Sequence, residues 1–141
     1  MKTKLICTGL LALAASFGAA AEESLTGGCM SELAFEPRLA LIADKVGVAH
    51  SAETVRLRAP ERAVSPEERA AVALWAHLRN ECFEFGAAQR RASLPRLESA
   101  LVKSVFVFQQ RLVADLQGGR MTYAEFNRRR LELVEAAGQE I

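Results

Sequence analysis

The chain has 141 residues, of which 50% are apolar and 25% are charged, as in ordinary globular proteins. Its 18 Lys and Arg residues nearly balance 17 Asp and Glu residues, and the formal net charge is +1. A general nucleic-acid binder carries a strong basic excess, so no nucleic-acid partner is expected, and the length suits one domain with one core.

The first 21 residues have the three parts of a secretory signal peptide. Lys2 and Lys4 give a positive start, an apolar run covers residues 5–17, and three alanines precede Glu22. The run is too short to span a bilayer, so no transmembrane segment is expected. We expect residues 1–21 to be removed and the mature protein to be periplasmic or secreted.

Two cysteines remain once the leader, with Cys7, is removed. Cys29 and Cys82 are an even pair in an oxidising setting, which predicts a disulfide that closes a loop of about 50 residues and contributes roughly 4 kcal/mol. Small residues precede Cys29, as at a lipoprotein processing site. Residues 22–24 separate it from the apolar run, however, so a lipoprotein is not expected.

The stretch before the second helix carries weaker signals. Residues 22–35 are predicted to form a flexible lead-in to a helical domain at 36–141. A first helix is predicted from Pro37 to Val46, with Gly47 as its end and with apolar residues, Phe35 among them, at helical spacing. The long connection that follows, to Val64, allows a short helix after Ser51.

The second helix is the best-marked element of the chain. Ser65 is a natural N-cap, Pro66 fits the first position, and Glu68 completes a capping box. Its predicted buried stripe is Ala71, Leu74, Trp75, Leu78, Cys82 and Phe85. Gly86 leaves room beside Cys82 for another backbone, such as that of the Cys29 segment.

The third helix is predicted from near Ser93 to Gly118-Gly119, with an unusually wide apolar face. Its main stripe is Leu94, Leu97, Leu101, Val105, Phe108, Leu112 and Leu116. Val102, Phe106 and Val113 widen that stripe to about half the circumference. The width is typical either of a central helix packed against two neighbours or of a core face joined to a partner face, including a homodimer.

The fourth helix completes the bundle. Thr122 and Glu125 form a second capping box, Met121 and Phe126 are placed as a hydrophobic staple, and the helix is predicted to run to about Ala137 and stop at Gly138. Short connections favour antiparallel neighbours. The fold class is therefore predicted to be all-α, a small antiparallel bundle of three to four helices with one disulfide.

The last helix pair, about residues 113–133, resembles a known family. Leu116, Gly119, Met121-Thr122, Glu125-Phe126 and Leu131 are similar to the consensus of the short C-terminal helical hairpin called SHOCT, with Arg128–Arg130 at that family's basic positions. Such hairpins are interaction or oligomerisation elements, so the resemblance implies binding. The rest of the chain resembles small exported bacterial helical proteins without an assigned activity.

One face of the fourth helix carries an unusual polar set. Tyr123, Asn127 and Arg130 fall at i, i+4 and i+7, with Arg130 inside the apolar stripe. A guanidinium in that position needs a partner. It is expected either to form a structural ion pair with Glu81, near Gln109, or to snorkel. The functional alternative is a small anion or carboxylate site built from these three residues.

Arg90, Arg91 and Arg96 form a basic cluster at the turn between the second and third helices. Such a cluster suits anionic lipid, lipopolysaccharide or an acidic partner. The plainer interpretation is a solvated set of charges that the dipole of the preceding helix favours at its C-terminal end.

No catalytic set, metal site or cofactor motif is recognisable. His50 and His77 lack a third ligand, and no nucleophile has a credible base. The sequence favours a non-enzymatic periplasmic binding or accessory protein. Its helical surface, either Val102, Phe106 and Val113 or the Arg-bearing fourth helix, would contact a protein or envelope partner. The alternative is a small-ligand or lipid carrier that uses the bundle interior near Trp75 and Phe108.

Overall fold

The computed structural model describes residues 24–48 and 58–139, and this part of the chain is helical without a strand. Its α-helices are α1 Leu25–Glu32, α2 Ala43–Val46, α3 Pro66–Phe85, α4 Ala87–Ser93, α5 Arg96–Gln117 and α6 Tyr123–Gln139. Two 3-10 turns, Leu33–Phe35 and Pro37–Leu39, separate α1 from α2. The long helix α5 packs against both α3 and α6, and α1 packs against α3. The predicted all-α bundle is confirmed, with three long helices and three short ones.

The segment predicted as a flexible lead-in, 22–35, is helical from Leu25 to Phe35, so that prediction is wrong over these residues. Ser24 caps α1 by accepting a hydrogen bond from Gly27 N at 3.0 Å. At the same end, Leu25 N donates to Gln89 Oε1 of α4 at 2.7 Å. An eight-residue helix is not stable alone, so these tertiary contacts explain an element that local sequence does not predict.

The predicted disulfide between Cys29 and Cys82 is confirmed and ties α1 to α3, with the two Cα atoms 5.4 Å apart. Gly86 allows this close approach, as predicted. A Cβ atom there would lie 1.9 Å from Thr26 Oγ1 and 2.9 Å from Thr26 N. The Cys29 segment therefore packs onto the bare backbone at the end of α3.

The predicted first helix, Pro37–Val46, is broken in two. It consists of the 3-10 turn Pro37–Leu39 and the four-residue α2, because the backbone at Ile42 is not helical (φ −121°, ψ −7°). Gly47 ends α2 in the left-handed conformation (φ 68°), as predicted. Phe35, predicted for the buried stripe, is 85% exposed. The short helix allowed after Ser51 lies outside the described residues.

Helix α3 begins as predicted. Ser65 Oγ accepts from Glu68 N at 3.3 Å, the Glu68 carboxylate accepts from Ser65 N at 2.9 Å, and Pro66 is the first helical residue. The predicted stripe is buried at Ala71, Trp75 and Cys82 but not at its end. There Phe83 is buried and Phe85 is 63% exposed.

The third helix begins later than predicted, at Arg96 and not near Ser93, and the predicted turn before it is the separate helix α4. Its buried face is also rotated from the prediction. Phe106, Val113 and Leu116 are buried, whereas Leu97 is 83% exposed and Phe108 is 52% exposed. Of the residues expected to flank the main stripe, Phe106 and Val113 thus face the core, while Leu116 is buried as predicted.

Helix α6 follows a tight turn in which Gly119 has φ 70°. Thr122 Oγ1 accepts from Glu125 N at 3.1 Å, and the Glu125 carboxylate pairs with Arg129. Gly138 lies inside the helix and does not stop it. The core that results joins α1, α2, α3, α5 and α6, and its fully buried members include Leu39, Ile42, Val46, Val72, Val113, Leu116, Tyr123 and Phe126.

Candidate functional site

A cleft of about 380 Å³ opens between α1, α3 and α5. Most of its wall is apolar, with Met30 and Leu33 on one side and Trp75, Phe83 and Phe106 on the other. Arg79 and Gln109 are the long polar side chains in that wall. An apolar cleft with few polar groups is the usual form of a small-molecule site.

Arg79 is the polar anchor of this cleft. Its Nη2 donates to Gln109 Oε1 at 2.6 Å, and its guanidinium lies over the Trp75 ring, 4.9 Å from the centroid. Its Nε is buried and has no hydrogen-bond partner among residues 24–48 and 58–139. A buried donor without a partner costs free energy, so this atom is available to an acceptor supplied from outside the described chain.

Arg130 is a second arginine close to the Trp75 ring. Its guanidinium is 5.9 Å from the Trp75 centroid and 5.3 Å from that of Phe126, and the residue is 7% exposed. The predicted ion pair with Glu81 is wrong, because Glu81 is exposed and contacts His77 Nε2 at 3.2 Å. The neighbouring charge is instead a second cation, that of Arg79.

Burial lowers the pKa of Arg79 to about 10. Burial, together with the positive charge of Arg79, also lowers the pKa of Arg130 to about 10. Both side chains therefore remain cations at neutral pH. Within the described ranges neither of them pairs with a carboxylate, so a buried cation, Arg130, and a half-buried one, Arg79, lie close together without a counter-charge.

The predicted trio of Tyr123, Asn127 and Arg130 is not one site. Asn127 Nδ2 donates to Lys45 O at 2.7 Å and to Tyr123 O at 3.0 Å, which fastens α6 to α2. The Tyr123 hydroxyl is buried beside Glu68, and burial and that carboxylate raise its pKa. Arg130 is the member of the trio that lies against Trp75 of the cleft wall, while the Tyr123 hydroxyl and Asn127 Oδ1 are buried without a hydrogen-bond partner among the described residues.

Glu68 is a buried carboxylate that sequence analysis identified only as a cap. It accepts from Arg62 Nη1 and Nη2, each at 2.8 Å, and Lys45 Nζ lies 3.6 Å away. The hydrogen bonds from Arg62 lower the pKa of Glu68 to about 2, against the effect of its burial. Arg62 thereby holds the loop before α3 to the start of that helix, and Lys45 brings α2 close to the same carboxylate, so the cluster is structural.

Val102, Phe106 and Val113 do not form an exposed partner face, and that prediction is wrong. Phe106 stacks on Phe83 with ring centroids 3.9 Å apart, and Val113 is 1% exposed. Val102 and Phe106 line the cleft instead. The reason is that α5 is rotated about its axis relative to the prediction, so that the side of its apolar face with these residues is turned toward α3.

The three basic residues do come together. Arg90, Arg91 and Arg96 line a second cavity of about 310 Å³, to which Lys103 adds a fourth cation. Arg90 is fixed in place, because its guanidinium lies 3.6 Å from the Phe83 ring centroid and its Nη1 donates to Thr26 Oγ1 at 2.6 Å.

Of the two aromatic residues expected at a carrier interior, the structure places only Trp75 on the cleft, since Phe108 is half exposed. The sequence analysis did not identify Arg79, although the sequence carries a signal for it. It follows Trp75 by four residues and precedes Cys82 by three, which places it on the buried stripe of α3.

Comparison with protein-family models, with curated proteins and with solved structures found no match for this chain. No helix among the described residues is long and apolar enough to cross a membrane. Within the same residues, no three His, Cys, Asp or Glu side chains are grouped as a metal site would require.

Proposed function

We propose that this protein is a non-enzymatic binding protein whose cleft takes a small molecule with an anionic group and an apolar part. The observation that carries the proposal is Arg79, a half-buried cation in the wall of an apolar cleft whose buried Nε is unpartnered among the described residues. A carboxylate is the group of choice, because it accepts two hydrogen bonds from one guanidinium.

Electrostatics supports an anion and not a cation or a neutral group. Arg79 and Arg130 both lie over the Trp75 ring. Among the described residues, contacts with aromatic faces and, for Arg79, a hydrogen bond to Gln109 offset part of the cost of desolvating these cations. An anion beside Arg79 would offset the repulsion between the two guanidiniums. The apolar wall formed by Met30, Phe83 and others would accept a hydrocarbon portion of the ligand.

The setting of this function is proposed to be the periplasm or the extracellular space. The disulfide between Cys29 and Cys82 supports an oxidising compartment. The signal-peptide pattern in residues 1–21, which lie outside the described residues, supports export. The cleft favours the carrier alternative over a helical surface for a protein partner, because Phe106 and Val113, which such a surface would need, are buried.

The test is a titration of the mature protein with octanoate, octanol and acetate, followed through the fluorescence of Trp75, the single tryptophan of the chain. Octanoate should bind more tightly than both probes, since octanol lacks the charge and acetate lacks the chain. Arg79→Met should weaken octanoate binding about tenfold or more, because a charge-assisted hydrogen bond contributes roughly 1.5–3 kcal/mol.

Arg69→Gln is the matched control, since Arg69 is an exposed cation of the same helix and should leave octanoate binding unchanged. Equal binding of octanoate and octanol, or wild-type affinity in Arg79→Met, would contradict the proposal. Absence of octanoate binding to the wild type would contradict it as well.

A further inference from the structure

The corner of the bundle formed by α3, α4 and α5 concentrates positive charge around a cavity. Arg90, Arg91, Arg96 and Lys103 line this cavity of about 310 Å³, against one carboxylate, Glu84. Among the residues that the structure describes, no ion pair is formed by any of these four cations. Arg128 and Arg129 of α6 by contrast pair with carboxylates one turn away.

One of the four cations is held rigidly. The Arg90 guanidinium lies on the Phe83 ring and donates to Thr26 Oγ1, so it cannot move away from its neighbours without losing both contacts. Burial lowers the pKa of Arg90, the nearby Glu84 carboxylate acts in the opposite direction, and the charge of Arg91 lowers it further. The cavity therefore keeps like charges together, and a multivalent anion such as a phosphate group would relieve their repulsion.

Two large apolar residues close in sequence to these cations are exposed. Leu97 directly follows Arg96 at the start of α5 and is 83% exposed, and Phe85, at the end of α3, is 63% exposed. Along the chain the two residues stand on either side of α4, which carries Arg90 and Arg91. Exposed apolar residues among cations are the combination with which proteins bind the interface of an anionic membrane.

We propose that this corner docks the domain on an anionic phospholipid surface, with a lipid phosphate in the cavity of Arg90, Arg91, Arg96 and Lys103 and with Leu97 and Phe85 at the acyl boundary. The cavity of this corner is distinct from the cleft that contains Arg79, although Phe83 lines both. If the proposed function holds, an amphipathic anion that leaves the membrane would enter the Arg79 cleft close to that membrane.

The experiment is sedimentation of the mature protein with vesicles of phosphatidylcholine alone or mixed with phosphatidylglycerol. The wild type should bind the mixed vesicles, and binding should fall with added salt. The double variant Arg91→Gln, Arg96→Gln should bind the mixed vesicles roughly thirtyfold more weakly, because each basic residue near an anionic surface contributes about 1 kcal/mol to binding. Both residues are exposed, so the double variant is expected to fold as the wild type does.

The matched control removes the same charge elsewhere, by Arg69→Gln with Arg111→Gln, and should bind the mixed vesicles like the wild type within about threefold. Equal loss in the control would overturn the proposal, because it would show a dependence on net charge only. Absence of binding to the mixed vesicles would overturn it as well.

Leu97→Ser separates a membrane from a soluble phosphate. It should weaken vesicle binding severalfold and leave the thermal stabilisation by inorganic pyrophosphate unchanged. If pyrophosphate stabilises the wild type and Leu97→Ser binds vesicles like the wild type, the site takes a free phosphate and the membrane proposal is wrong.

Discussion

Glu68 shows how much one side chain contributes to this fold. It caps α3, receives both Nη atoms of Arg62 and lies beside the buried Tyr123 hydroxyl. The charged form is required for these interactions, and its pKa of about 2 lies below the ordinary value of 4.5. Its stabilising contribution is therefore complete above about pH 4.5 and is lost as the pH falls toward 2.

Glu68→Gln is expected to lower the free energy of unfolding by about 1–3 kcal/mol at neutral pH, with the lower part of that range favoured because Arg62 is half exposed. The difference from the wild type should shrink as the pH falls below about 4.5, since the wild-type carboxylate is then protonated too. Urea denaturation over a pH series measures it.

The control for this experiment is Glu81→Gln, which alters an exposed carboxylate of the same helix and should change stability by less than about 0.5 kcal/mol. A difference between wild type and Glu68→Gln that stays constant through the acid range would contradict the role assigned to the charge of Glu68.

Helix α5 is the element whose orientation decides the interior. Its apolar residues cover about half of its circumference, so the sequence allows several rotations. The structure turns Phe106 onto Phe83 and leaves Phe108 beside Arg111, whose guanidinium is 5.4 Å from its ring centroid. With this orientation, Val102 and Phe106 of α5 form one wall of the cleft.

The two phenylalanines give a direct test of that rotation. Phe106→Glu should destabilise the domain by about 3 kcal/mol or more, because it removes a buried ring and buries a charge. Phe108→Glu, at a half-exposed position two residues away, should cost less than about 1 kcal/mol. Thermal unfolding followed by circular dichroism compares them, and equal costs would show that α5 is rotated differently.

At the scale of the whole molecule, the disulfide joins α1, an N-terminal helix with little stability of its own, to the buried face of α3. Cys29 and Cys82 are 53 residues apart in the sequence. Because α1 has only eight residues, its helix depends on this bond and on the contacts of Leu25 and Thr26 with α4. Since Thr26 and Met30 line the cleft, the same bond holds one wall of the site.

Replacing both cysteines by alanine should lower the free energy of unfolding by about 4 kcal/mol, from the entropy that the unfolded chain regains. Amide hydrogen exchange should also accelerate throughout Leu25–Glu32 relative to α3. Ser31→Ala, an exposed change in the same helix, is the control and should leave exchange in α3 and stability nearly unchanged. Unchanged protection of α1 without the disulfide would show that packing alone holds it.

Local signals determined where helices begin and end. The start of α3 at Ser65 and Pro66, the end of α2 at Gly47 and the turn at Gly118-Gly119 all follow from caps and glycine conformation, which depend on a few neighbouring residues. The sequence also paired Cys29 with Cys82, because they alone remain beyond the predicted leader.

Tertiary structure alone decided the helical state of residues 25–35, the rotation of α5 and the meeting of Arg79 with Arg130 over Trp75. Periodicity measures how wide an apolar face is, but which part of it is buried depends on the position of its neighbours. A pair of like charges contradicts the expectation that a buried arginine finds a carboxylate. The candidate site therefore emerged only when three helices were packed together.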